Sequence, residues 1–114
     1  MTHAARHDHG LSAPSRTSVV VVGGGFSGTM VAANLLRASR DMGLALDVHL
    51  VDRRGIVGQG VAYGTREAVH LLNVPASGMS AWPDRSDDFL EWVRARHPGT
   101  PAYAFLPRRD YGDY

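Results

Sequence analysis

The sequence feature that most constrains the fold is a run of four valines followed at once by three glycines. Residues 19–22 are uninterrupted β-branched side chains, a pattern typical of a strand that is buried on both faces of a parallel sheet. We therefore expect the first strand, which begins near Thr17, to be central in its sheet. Residues 23–25 are all glycine, so the chain can turn sharply where this strand ends.

The segments after this turn predict a helix and a second strand. Apolar side chains recur at helical spacing, at Met30, Val31, Leu35 and Leu36. This spacing predicts a helix from Phe26 to about Met42, and Gly43 supplies its end. Apolar and polar residues then alternate over residues 46–51, which predicts a second strand. Strand, helix and strand form one βαβ unit with a right-handed crossover, so the predicted fold class is α/β with a parallel sheet.

The turn between strand and helix carries a glycine pattern that suits phosphate binding. Gly23, Gly25 and Gly28 fit the pattern Gly-x-Gly-x-x-Gly. The first glycine permits the tight turn, the second lets the backbone approach a pyrophosphate, and the third lets the helix lie close to the sheet. Asp52 follows the second strand, 24 positions after Gly28, where a carboxylate can accept hydrogen bonds from ribose hydroxyls. These features predict a Rossmann-like dinucleotide-binding unit, with the phosphates at the helix N-terminus.

The residues near Asp52 and in the turn leave open which dinucleotide binds. A carboxylate at Asp52 repels a 2′-phosphate, which favours the adenosine ribose of FAD or NAD. Arg53 and Arg54 follow directly and could favour a phosphate instead, or form a solvated turn. Ser27 does not have the spacing of a nucleophile elbow. We expect its hydroxyl to donate to a phosphate or to cap the helix.

Composition excludes several other chemistries. All twelve cationic side chains are Arg, so no Lys is present for a Schiff base or for a Walker-type phosphate loop. No Cys is present, which excludes thiol nucleophiles and thiolate metal sites. The formal net charge is +1, without the clustered basic excess of a nucleic-acid-binding surface.

The first sixteen residues predict a disordered leader. They contain no apolar stretch of the kind that a secretory signal needs, and no segment of the chain is apolar enough to span a membrane. We therefore expect a cytoplasmic protein. His3, His7 and His9 lie in this leader, but too few fixed ligands surround them for a metal site, and we expect no bound metal.

Beyond Asp52 the chain does not repeat the βαβ pattern. Four glycines punctuate residues 55–64 and give an irregular excursion that a plain NAD-binding half would not need. A further helix is expected from Ser86 to about residue 96, with Phe89 and Trp92 packed in a core. His70 stands beside two leucines and is expected to be a packing residue, although a histidine there could also serve as a base.

Taken together, these segments resemble a flavoprotein family. The matching segments are the glycine turn, Asp52, Gly58-Gln59-Gly60-Val61-Ala62-Tyr63-Gly64-Thr65, His70-Leu71-Leu72-Asn73-Val74-Pro75-Ala76, Met79-Ser80, Phe89-x-x-Trp92 and Pro107-Arg108-x-x-Tyr111-Gly112-x-Tyr114. Residues 17–114 are similar to the N-terminal part of the FAD/NAD(P)-binding domain shared by FAD-dependent urate hydroxylase and the nitrosuccinate-forming L-aspartate N-monooxygenase. The glycine turn is generic, and the segments at 58–80 and 107–114 are the specific part of the resemblance.

The resemblance implies a flavin-dependent monooxygenase, in which NAD(P)H reduces FAD and the reduced flavin activates oxygen for transfer to carbon or nitrogen of a small molecule. It implies that the FAD pyrophosphate is bound by Gly23, Gly25, Phe26, Ser27 and Gly28. The adenosine ribose would lie at Asp52, with Arg53 beside it. Gln59 and Asn73 are expected to make polar contacts nearer the flavin ring, and Arg108 is a weaker candidate. Asn73 could instead satisfy a turn, and Arg108 could pair with Asp110 or Asp113. We assign no catalytic acid or base.

Length limits what such a chain can do. A complete enzyme of this kind needs further strands and a nicotinamide-binding region, so 114 residues predict the N-terminal part of an FAD-binding domain, without turnover. A sheet that lacks its later strands has an unpaired edge and an exposed apolar face, which predicts weak stability or association. Two alternatives stay open, namely the NAD-binding half of a dehydrogenase or reductase, and a non-catalytic remnant. The sequence does not determine the substrate or the oligomeric state.

Overall fold

A computed structural model describes residues 16–114 of the chain. The predicted leader, residues 1–16, therefore lies outside the described residues except for Arg16. The elements in chain order are β1 (Thr17–Val22), α1 (Phe26–Met42), β2 (Leu46–Val51), α2 (Gly60–Tyr63), a 3-10 helix (Ala76–Gly78), α3 (Asp88–Arg94) and α4 (Arg108–Asp113). Strands and helices thus form the α/β fold that the sequence predicts. No helix among the described residues is both long and apolar enough to cross a membrane.

The first three elements form the predicted βαβ unit. β1 and β2 pair in parallel, from Thr17 opposite Leu46 to Val22 opposite Val51. Gly43 ends α1 in the left-handed region, with φ at 65°, a conformation that favours glycine. The bounds of all three elements agree with those predicted, because the valine run, the helical spacing and Gly43 are local signals.

The predictions that β1 is central in its sheet and buried on both faces are wrong for the described residues, where the sheet has two strands. Val20 is 61% exposed and Val22 is 82% exposed, while Val21 on the opposite face lies beneath the start of α1. Among the described residues, β1 pairs only with β2, and α1 covers one face of the two-stranded sheet. A run of valines indicates a strand that can be buried on both faces, but burial itself requires a covering element.

An aromatic core joins the C-terminal helices. Its buried members are Leu72, Ala76, Phe89, Leu90, Val93 and Tyr111. The expected core role of Phe89 is confirmed, since this side chain is fully buried. Trp92 is partly buried against the same core, and the Arg96 guanidinium lies 3.7 Å from the centre of its ring. α3 begins at Asp88, whose carboxylate accepts a hydrogen bond from the Tyr114 hydroxyl.

The burial of Tyr111 predicts an alkaline limit to the stability of this core. Burial, together with the neighbouring Tyr63 and Tyr114, raises the pKa of the Tyr111 phenol to about 12. Because an unfolded tyrosine ionises near pH ~10, this contribution to stability is present below that pH and is lost as the pH rises towards the folded value.

We therefore expect a spectrophotometric titration to show a late step to which Tyr111 contributes together with Tyr114, whose pKa burial also raises, and Tyr111→Phe to lower the amplitude of that step by one tyrosine. The conservative change keeps the ring and its packing, so the remaining tyrosines serve as the internal control. An unaltered high-pH step in Tyr111→Phe would contradict the assignment to Tyr111.

Candidate dinucleotide-binding site

The turn that follows β1 has the backbone geometry that the glycine pattern predicts. Gly23 has φ at 105°, and its N–H donates to the Val51 carbonyl at 2.8 Å, which extends the strand pairing. A Cβ at Gly28 would overlap the carbonyl oxygen of Gly23. The first and last glycines of the pattern are therefore both required by the turn, the first by its φ and the last by close packing.

Asp52 holds the other side of this turn. Its Oδ2 accepts the N–H of Gly24 at 3.0 Å, and its Oδ1 accepts the N–H of Arg54 at 2.8 Å. The N–H groups of Arg54 and then Gly24 hold the pKa of the Asp52 carboxyl below its usual value. Because the pKa is lowered, the ionised Asp52 carboxylate stabilises the fold at pH values above the ordinary pKa of ~3.9. This stabilisation is lost as the pH falls through the lowered pKa of the folded state.

Gly24 is a site residue that the sequence analysis did not single out. A Cβ at this position would lie 2.7 Å from the Cβ of Asp52, so any larger residue would displace the carboxylate. The glycine pattern leaves this position free, and the signal that could have identified it is that a glycine also stands there, in the middle of three consecutive glycines. Its N–H directly links the turn to the residue that is predicted to bind ribose.

A segment that we call the glycine strap, residues 55–64, packs on the same turn. The Gly58 N–H donates to the Gly24 carbonyl at 2.7 Å and to the Thr29 hydroxyl at 3.0 Å. A Cβ built on Gly60 would lie 3.0 Å from the Cα of Gly25. The bare Cα of Gly25 thus makes room for the strap, a contact that the sequence analysis did not foresee.

The turn and the strap together line one cavity of about 500 Å³, which we call the cradle. It is lined by Val22, Gly23, Gly25, Phe26, Ser27, Gly28, Gln59, Ala62 and Tyr63. The structure thus brings together six of the predicted cofactor-binding residues, the five from the turn and Gln59 from the strap. The first N–H groups of α1 have no acceptor within the helix, and no side chain caps them.

Ser27 does not cap α1, so that alternative is wrong. The N-cap is Gly25 and no side-chain cap bond is formed, because Ser27 already lies within the helix. Its exposed side chain lines the cradle. The other predicted role of the Ser27 hydroxyl, donation to a phosphate, stays a prediction.

Three other predicted contacts lie outside the cradle lining, namely Asp52, which holds the turn from the end of β2, and Arg53 and Asn73. Arg53 follows Asp52 and is exposed, and Asn73 is exposed in a bend before Pro75. Neither residue lines the cradle. Asn73 adjoins Leu72, whose N–H donates to the Leu106 carbonyl at 2.8 Å, so its segment is anchored to the chain before α4.

Arg108 ties α4 to the segment that contains His70. Its backbone N–H donates to the His70 carbonyl at 2.8 Å, and its Nε donates to the Leu71 carbonyl at 3.0 Å. The alternative that Arg108 pairs with Asp110 or Asp113 is wrong, because its Nε donates to the Leu71 carbonyl and, within the described residues, it forms no ion pair with either carboxylate. Arg109 instead lies beside Asp110 at 3.7 Å. The His70 ring, which is exposed, shares a hydrogen bond with the Thr65 hydroxyl at 2.7 Å. These contacts join the two specific segments of the sequence, at 58–80 and 107–114.

The residues of the cradle fit a dinucleotide. Bare glycines allow close approach, the N–H groups of α1 suit a pyrophosphate, and Asp52 stands at the carboxyl end of β2 where a ribose is bound in such folds. Fold and site together define a dinucleotide-binding domain of the Rossmann type.

A family model described as FAD-NAD(P)-binding matches residues 20–114. The chain belongs to this family, which supports binding of FAD and NAD(P)H; the sequence analysis predicted FAD for this chain and NAD(P)H for the complete enzyme. Such a domain serves oxidoreductase-type chemistry. Comparison with curated proteins and with solved structures found no match.

Proposed function

We propose that this chain is the FAD-binding portion of a flavin-dependent monooxygenase that uses NAD(P)H to hydroxylate or N-oxygenate a small molecule. The observation that carries the proposal is the glycine strap, which is bonded to the phosphate turn through Gly58. A plain NAD-binding half needs only the βαβ unit, whereas here a second segment adds Gln59 and Ala62 to the wall of the cradle.

The chain's own residues bind and orient the cofactor in this proposal. The N–H groups at the start of α1 donate to the pyrophosphate, and Asp52 accepts hydrogen bonds from the adenosine ribose. When bound, FAD supplies electron transfer and oxygen activation. Ser27 and Gln59 line the cradle and are proposed to contact the phosphate and the part of FAD nearer the flavin.

The predicted contacts at Arg53 and Asn73 enter the proposal with different roles. Arg53 stands beside Asp52 at the ribose end, and Asn73 is proposed to contact the flavin from outside the cradle. No histidine or carboxylate lines the cradle itself. We therefore propose that the chain alone binds cofactor without turning it over.

The visible spectrum of the protein with added cofactors tests this proposal. We expect purified chain to take up FAD and to show the visible absorption bands of a bound flavin after removal of free FAD. Uptake of NAD without FAD would instead support the NAD-binding half of a dehydrogenase or reductase. Binding of neither cofactor would contradict both functions and leave a non-catalytic remnant.

The Asp52→Ala variant tests the assignment of the ribose site. Loss of the carboxylate removes a charge-assisted acceptor and releases the N–H of Gly24, so we expect FAD affinity to fall about tenfold or more. Equilibrium titration of flavin fluorescence measures this change. Asp47→Ala is the matched control, because Asp47 is an aspartate of the second strand itself, which Asp52 directly follows, and it pairs with Arg16 at 2.6 Å. Equal affinities for Asp52→Ala and wild type would overturn the assignment.

A further inference from the structure

The Thr29 hydroxyl connects the phosphate turn to the glycine strap. Its Oγ1 donates to the Gly24 carbonyl at 3.3 Å and accepts the Gly58 N–H at 3.0 Å. Thr29 is partly buried and lies one residue beyond the last glycine of the turn pattern. It therefore stands outside the residues that the pattern assigns to phosphate binding.

The two contacts require a side chain that both donates and accepts, as the Thr29 hydroxyl does. The Gly58 N–H is a donor and the Gly24 carbonyl is an acceptor, so the side chain between them must accept from one and donate to the other. The Gly58 N–H also donates directly to the Gly24 carbonyl at 2.7 Å. Thr29 thus completes a closed set of three hydrogen bonds among Gly24, Thr29 and Gly58.

This set of bonds fixes where the strap enters the cradle. Gln59 follows Gly58 directly, and Gln59 and Ala62 line the cradle opposite the turn. The strap has positive φ at Gly55, Gly58 and Gly60. Glycine adopts positive and negative φ about equally well, so these residues alone do not fix the path of the strap. Its position is therefore specified by side-chain and backbone bonds at its contact with the turn.

We propose that Thr29 is a positioning residue, which holds the glycine strap in the place where Gln59 can contact the cofactor. The effect on cofactor affinity rests on the proposed function, whereas the contact between Thr29 and the strap does not. The Thr29 hydroxyl acts through Gly58 and touches no cofactor atom in this role.

Thr29→Val removes the hydroxyl and keeps the shape of the side chain, and Thr29→Ser restores the hydroxyl. We expect amide hydrogen exchange at Gly58, measured by NMR on the ligand-free chain, to become about two- to tenfold faster in Thr29→Val, the range that one hydrogen bond of ordinary net strength gives. FAD affinity is expected to fall by a similar factor. Thr29→Ser is expected to return both quantities to near the wild-type values, which a merely structural loss of packing would not do.

Thr29→Ala provides a second variant without the hydroxyl, should Thr29→Val fail to fold. Unchanged exchange at Gly58 in a folded hydroxyl-free variant would overturn the proposal, as would the failure of Thr29→Ser to restore protection. If wild-type chain binds no FAD, the proposed function fails, and the exchange measurement on ligand-free protein still decides the role of Thr29. Altered exchange with unchanged FAD affinity would overturn the effect on the cofactor.

Discussion

Gly28→Ala is expected to abolish most of the cofactor binding of this chain. The added Cβ would overlap the carbonyl oxygen of Gly23 and lie 3.0 Å from its carbonyl carbon, while a Val21 methyl group at 3.5 Å is at ordinary contact distance. The overlapped atoms are backbone atoms of the turn, so they cannot move aside as a flexible side chain would. The start of α1 must shift away from β1, and the N–H groups of the helix then lose their alignment with a pyrophosphate.

The expected size of this effect follows from the crowding. Overpacking of this kind costs about 1–3 kcal/mol of folding free energy, and we expect FAD affinity to fall by more than about tenfold. Thermal unfolding and a flavin fluorescence titration measure the two quantities.

Gly99→Ala is the matched control for a glycine substitution that lowers the stability of the protein outside the phosphate turn. Gly99 has φ at 87° and no heavy atom near a built Cβ, so alanine there costs about 1–2 kcal/mol by backbone strain alone. Its stability should fall while FAD affinity stays at the wild-type value. Wild-type FAD affinity in Gly28→Ala would show that the turn does not bind the phosphates.

The second large effect is expected for Gly112→Ala, in which two opposing contributions compete. Alanine in a helix is favoured over glycine by about 1 kcal/mol. The added Cβ would, however, overlap the Tyr63 carbonyl oxygen and lie 3.3 Å from Cγ of Gln59. Because the first of these atoms is backbone, the crowding, at about 1–3 kcal/mol, is expected to exceed the gain in helix propensity.

Gly112→Ala should therefore separate α4 from the glycine strap and weaken FAD binding through displacement of Gln59. We expect a lower melting temperature together with reduced FAD affinity. Asp113→Ala is the control, because Asp113 is exposed on the same helix and its replacement raises helix propensity without a new contact. A melting temperature for Gly112→Ala at or above that of Asp113→Ala would contradict the packing described between α4 and the strap.

The parts of the fold that sequence predicts well are those with local causes. The bounds of β1, α1 and β2 follow from side-chain spacing and from Gly43, and Asp52 falls directly after β2 as expected. The exposure of Val20 and Val22 could not be predicted in this way. Burial depends on which other elements cover a strand, and a valine run carries no information about that.

In the site, too, the features with local causes were predictable and the contacts between distant residues were not. The turn itself was predictable, since each glycine of the pattern has a backbone requirement. The docking of Gly58 on Gly24 joins residues 34 positions apart, and no spacing rule of sequence analysis connects them. The same holds for Arg108, whose partner is the backbone of Leu71 and not a nearby carboxylate.

The contact between Gly25 and Gly60 also bears on the order in which the chain folds. The turn that contains Gly25 is held by the pairing of β1 with β2, since the Gly23 N–H donates to the Val51 carbonyl, and the strap has no formed turn to contact until that pairing is in place. The strap can therefore dock only on a βαβ unit that has already formed. The wall of the cradle is then completed late in folding, and the phosphate turn exists for a time as an open surface before the strap covers it.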